Sequence, residues 1–136
     1  KFEEKTRILV SQYNQFIAID TLHVNGKLTL GENIADLGGL IIGYKAFLRA
    51  LKNGKINTAT IAGFTPEQRF FIGYAQSYKE KQRPELLRSG LMTDVHSPEE
   101  ARVNIPLSNM PEFYKAFHVK PSNKMYREDK DKVKIW

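Results

Sequence analysis

Leu28-Thr29-Leu30-Gly31-Glu32-Asn33-Ile34-Ala35-Asp36-Leu37-Gly38-Gly39 is the stretch from which the rest of the chain is read. Asn25-Gly26 just before it is a turn signal, and the residues after Leu30 recur at helical intervals. On a helix, Glu32 and Asp36 lie four apart on one face, one carboxylate a turn above the other. Like charges so placed repel by roughly 0.2–0.5 kcal/mol on an exposed surface. A solvated acidic first turn, favoured by the helix dipole, is one account of the pair. A positive group lying beside both is the other.

The residues beyond Asp36 favour the second account. Leu37, Leu40, Ile41, Ile42, Tyr44, Phe47, Leu48 and Leu51 spread around the helix, which predicts burial on nearly every side over 32–53. Gly38, Gly39 and Gly43 each cost roughly 1 kcal/mol of helix propensity against Ala, a cost with a use where another backbone approaches closely. Asn53-Gly54 then closes the helix. Carboxylates at the head of a buried helix need a partner, and a cation is the simplest one.

Outward from this helix the pattern stays helical. Phe2, Ile8, Leu9, Tyr13, Phe16 and Ile17 form one apolar face, which predicts a helix over 2–20 ending at Asp20-Thr21. His23 in the following turn reads as a structural hydrogen-bonding residue. Downstream, Thr65-Pro66-Glu67-Gln68 is a capping box with Pro at the first helical position, opening a helix with Phe70, Phe71, Tyr74 and Tyr78 on its apolar side. Pro84 starts another helix, Ser97-Pro98-Glu99-Glu100 reads as a capped start, and Pro111 opens a last helix before an irregular tail. No segment alternates long enough to predict a strand, so the expected fold is all-α.

Composition bounds the rest. A chain of 136 residues, 41% hydrophobic and 26% charged, suits one globular domain. No apolar run approaches the ~18 residues of a membrane span, and no direct membrane contact is expected from this segment. The chain begins at Lys1 rather than Met, so it reads as a processed product or a piece of a longer polypeptide. The net charge of +6 raises nucleic-acid binding, but the basic residues are scattered and Glu128, Asp129 and Asp131 interrupt the basic tail. With zero cysteines, disulfides and thiolate metal sites are excluded.

Gly31-Glu32-Asn33-Ile34-Ala35-Asp36 with Gly38-Gly39, preceded by Val24-Asn25-Gly26, resembles the third-ligand motif of the neprilysin-type (M13) zinc metallopeptidases. Met92-Thr93-Asp94-Val95-His96-Ser97-Pro98 with Arg102-Val103-Asn104 is a second matching block. Glu112-Phe113, Ala116-Phe117-His118 and the terminal Trp136 form a third, and Arg83-Pro84-Glu85 agrees in position. The similarity runs in order from about Thr21 to the end. It implies that residues 1–136 are the compact helical C-terminal part of a gluzincin-type catalytic domain, of a bacterial type. His23, His96 and His118 cannot form H-E-x-x-H, so the resemblance implies that helix, with two zinc ligands, upstream.

The resemblance also implies roles. Glu32 would be the third ligand of one zinc ion, and Asp36 would accept the outer N–H of a ligating histidine. His96, supported by Asp94, would donate to the developing oxyanion, and Arg102 would hold a substrate backbone carbonyl. Tyr78, with Ser77, stands where relatives place an aliphatic–Trp pair in the pocket for the residue after the cut bond. Val119, Val133 and Lys79 stand where relatives often carry cysteine, and Lys134 replaces the usual Arg near the end. The implied function is a metalloendopeptidase cutting peptides on the amino side of hydrophobic residues, in a periplasmic or other extracytoplasmic setting. This piece would be inactive and would not retain zinc alone, its partners being peptide substrates and the remainder of the parent polypeptide. A non-catalytic helical interaction module derived from a peptidase is the alternative.

Overall fold

The computed structural model describes residues 1–135; Trp136, part of the C-terminal block, lies outside them. Helix α1 spans Phe2–Asn14 and stops well short of residue 20. Ile17–Ile19 instead forms strand β1, paired antiparallel with β2 at Leu22–His23, Ile17 facing His23 and Ile19 facing Leu22. β-branched Ile17 and Ile19 suit extended backbone, and Asp20 turns the chain at φ 52°. His23 Nδ1–H donates to the Asn14 carbonyl at 2.8 Å, satisfying a carbonyl left free at the helix end. The expectation of an all-α fold therefore holds but for this hairpin.

The turn at Asn25-Gly26 sits directly on α1. A Cβ at Gly26 would lie 2.4 Å from the Val10 carbonyl oxygen, and Gly26 N–H donates to Asn14 Oδ1 at 2.8 Å. Close backbone approach thus occurs here and not at Gly39 or Gly43, two of the helix glycines singled out from sequence. A Cβ at Gly39 would meet open space, and one at Gly43 only Phe70 Cζ at 3.8 Å.

Helix α2 spans Leu30–Lys52. It ends in a Schellman motif: Gly54 at φ 67° donates to the Leu51 carbonyl, and Lys55 N–H to that of Ala50. Burial on nearly every side is corrected, because only the face bearing Asn33, Leu37, Leu40 and Tyr44 is covered. Ile42 is 62% exposed and Leu48 42%, since α1, α3 and α5 pack on one side of α2 only.

Four further helices complete the fold: α3 Pro66–Ser77, α4 Pro84–Thr93, α5 Glu99–Ser108 and α6 Pro111–Phe117. The capping box at Thr65 and Gln68 forms as the sequence predicts. The start of α5 differs, for Pro98 is its cap and Ser97 makes no capping bond. One core cluster joins α1, α2 and α5 through Leu9, Tyr13, Leu37 and Ile105, with Val133 from the tail. A second, aromatic cluster joins α2, α3 and α6, with Tyr44 stacked on Phe71 at 5.2 Å and Phe113 edge-on at 5.6 Å. Buried Gln12 and Asn109 exchange amide bonds at 2.7 and 2.9 Å, and Asn109 Oδ1 also accepts from Val133 N–H, tying the tail to α1 and α5. Among the described residues no helix is long and apolar enough to cross a membrane.

Candidate active site

No side chain caps helix α2, and its first turn carries Glu32 with Asp36 one turn further on. Helix α5 crosses it and brings Arg102 to the same spot. Arg102 Nε and Nη2 donate to the two oxygens of Asp36 at 2.7 and 2.8 Å, a bidentate pair whose side chains are only 18% and 7% exposed. Nη2 also lies 3.9 Å from Glu32 Oε2. The positive partner demanded by the two carboxylates is therefore present within the chain.

Tyr78, at the end of α3, completes the pair. Its hydroxyl donates to Asp36 Oδ1 at 3.0 Å and its ring lies 5.0 Å beneath the Arg102 guanidinium. Burial raises the Tyr78 pKa, and the Asp36 charge adds to it, so the phenol stays protonated as donor. The Asp36 bonds hold Arg102 above its already high pKa. Tyr74 O–H donates to the Arg102 carbonyl at 2.8 Å, fixing the backbone from which the guanidinium extends.

His96 comes from the loop between α4 and α5. Asp94 Oδ1 accepts from both the His96 backbone N–H, at 2.8 Å, and its Nδ1–H, at 2.9 Å. These two bonds, the backbone one first, hold the Asp94 carboxyl below its ordinary pKa. Asp94 thus closes a local turn and orients the ring at once. His96 Nε2 is aimed at Glu32, 3.3 Å from Oε2. All six residues singled out from sequence, Glu32, Asp36, Tyr78, Asp94, His96 and Arg102, meet on one face.

Glu32 differs from Asp36 in being free. It is 39% exposed and accepts no hydrogen bond among the described residues, so its hard oxygen donor suits a zinc ion. Among the described residues no group of three His, Cys, Asp or Glu side chains could hold a metal ion. Asp36 faces Arg102 and Tyr78 rather than a histidine of this chain. Beside Asp36 and Tyr78 runs a groove of about 490 Å³, floored by Gly39, Gly43 and Gly73 and walled by Phe70 and Tyr74.

Sequence reading missed Asn33, Ser97 and Tyr74. Asn33 is 0% exposed and accepts from Ser97 Oγ at 2.8 Å. A polar residue on the inward face of α2 was the available signal. Ser97 looked like a helix cap, and only the packing shows its hydroxyl turned to Asn33.

Fold and corner together form one side of a helical scaffold, and comparison with known proteins says which. The sequence pattern of Peptidase family M13 matches residues 1–133, and the chain belongs to that family. It is 41% identical to Neprilysin-21 of Caenorhabditis elegans over 98% of this chain. It is 39% identical to endothelin-converting enzyme 1 of Homo sapiens over 99%. Among solved structures it superposes on the zinc metalloprotease ZMP1 of Mycobacterium tuberculosis, in complex with inhibitor, with TM-score 0.88 and 35% identity. That match covers 99% of this chain and 21% of the other. The chain spans 18% of the Neprilysin-21 sequence and 17% of the human enzyme.

Proposed function

We propose that this chain is the C-terminal part of the catalytic domain of a zinc metalloendopeptidase, inactive by itself, that cuts peptides on the amino side of hydrophobic residues outside the cytoplasm. The observation that carries the reading is the convergence of Glu32, His96 and Arg102, from three separate stretches, around one solvent-open corner. The zinc ion, when bound, supplies Lewis acidity toward the scissile carbonyl and makes water a nucleophile near neutral pH.

The chain's own residues do the rest. Glu32 contributes one carboxylate ligand, the other two coming from outside residues 1–135. As the imidazolium, with Nδ1–H held by Asp94, His96 presents Nε2–H toward the corner as a donor to charge developing on the carbonyl oxygen. Arg102 makes no hydrogen bond through Nη1 among the described residues, leaving a donor for a substrate carbonyl while Asp36 fixes the plane of the guanidinium. Asp36 keeps lone-pair capacity beyond its three bonds for the N–H of a ligating histidine. The apolar wall formed by Leu40, Phe70 and Tyr74 beside Tyr78 supports the hydrophobic preference.

The test uses the full-length parent protein. Glu32→Ala should abolish zinc retention, measured by metal analysis after dialysis. His96→Ala should keep zinc and lose about 10²–10³ in turnover of a peptide substrate. Retained zinc with full activity after Glu32→Ala overturns the reading.

A further inference from the structure

His96 is held from one side by Asp94, but nothing so far fixes its loop relative to Glu32. A buried relay does so from the other side. Ser97 O–H donates to Asn33 Oδ1 at 2.8 Å, Asn33 Nδ2–H to Thr29 Oγ1 at 2.8 Å, and Thr29 O–H to the Asn25 carbonyl at 3.1 Å. Asn25 Oδ1 in turn accepts from the N–H groups of Lys27 and Leu28 at 3.2 and 3.0 Å. Ser97, Asn33 and Thr29 are 2%, 0% and 3% exposed.

The direction of each bond is dictated. Thr29 gives its only proton to a carbonyl, so it must accept from Asn33, and the Asn33 carbonyl must then accept from Ser97. The amide has one permitted orientation, and the relay reads one way from the loop to the Asn25 turn. Its first two members are the immediate chain neighbours of the working groups: Ser97 follows His96, and Asn33 follows Glu32. Polar groups this deeply buried are costly when unpaired, so a shift of the loop against α2 is resisted by the whole chain of bonds.

We propose that Ser97 and Asn33 are positioning residues that set His96 against Glu32, so that the oxyanion donor and the metal-ligand carboxylate stay in register during turnover. This rests on the peptidase reading above. A role in stability alone would lower the melting temperature and leave kinetics intact. A positioning role instead lowers kcat at constant KM, because a donor displaced by a fraction of an ångström loses more against the transition state than against the bound substrate.

The experiment compares Ser97→Ala, Asn33→Leu and the double variant in the full-length parent. For Ser97→Ala we expect kcat to fall about 10- to 100-fold with KM within about twofold and zinc content unchanged. The affinity of a peptide phosphonamidate resembling the tetrahedral state should fall by the same factor as kcat/KM. In the double variant the loss should be no greater than in the worse single one, the mark of one connected unit. Independently of catalysis, backbone hydrogen exchange at Val95–Ser97 in the metal-free protein should quicken about tenfold in Ser97→Ala. Unchanged kcat in Ser97→Ala, or losses that multiply in the double variant, overturns the proposal. A wild-type parent that binds no zinc and cuts no peptide counts against the peptidase reading, and the exchange rates then decide by themselves whether the relay holds the loop.

Discussion

One helical turn separates two carboxylates with opposite fates. The Asp36 side chain is buried and takes three hydrogen bonds from Arg102 and Tyr78, all within the chain. Glu32 faces solvent, takes none among the described residues, and touches only the edge of His96 and the tip of Arg102. The same residue class, on the same helix face, thus serves two ends. Donors within the chain hold the one and leave the lone pairs of the other open. The pairing also explains how the helix carries two acids so near each other, since Arg102 reaches toward both.

The comparison can be broken by exchanging the two fates. Arg102→Ala strands a carboxylate that is only 7% exposed, and should destabilise the parent protein by about 3 kcal/mol or more in urea unfolding. A loss below about 1 kcal/mol would show Asp36 to be far wetter than its burial implies. Tyr78→Phe removes one donor and leaves the bidentate pair, so a cost of about 1–2 kcal/mol is expected in the same assay. Glu32→Gln should change the stability of the metal-free protein by less than about 0.5 kcal/mol, because its contacts to His96 and Arg102 are long and solvent-screened. A larger effect would place Glu32 with Asp36 as a structural acid.

The smallest effect is a titration. Asp94 is held below the ordinary carboxylate range by the His96 N–H groups, so its anchoring of the loop is present above the unfolded pKa. It is lost only as pH falls through the lower folded value. The Asp94 side-chain carbon resonance in the metal-free protein should accordingly titrate below about pH 3.9, the ordinary value for Asp. In His96→Ala, which keeps the backbone bond but loses the ring, the midpoint should move part of the way back.

Local chemistry explains which parts were legible. Thr65 and Gln68 cap α3, Pro84 and Pro111 open α4 and α6, and Gly54 closes α2, because each acts on backbone within four residues of itself. Glu32 and Asp36 were legible in one block of resemblance and Asp94, His96 and Arg102 in another, not as a shape. Misread were the segments where local and distant forces disagree. Residues 17–19 continue the apolar pattern of α1 but pair as a strand, and Ser97 has the look of a cap but serves Asn33.

By itself the sequence determined the starts of α3, α4 and α6, the end of α2, the two acids on one face and their need for a cation, since these follow from spacing along a single backbone. Only the tertiary structure decided that the cation is Arg102, 66 residues away, that Tyr78 joins it from 42 residues away, and that Ser97 reaches Asn33 across 64. Such pairings have no local signature. They exist because α3 and α5 both pack against α2, and burial there requires each polar group to find its partners within the fold.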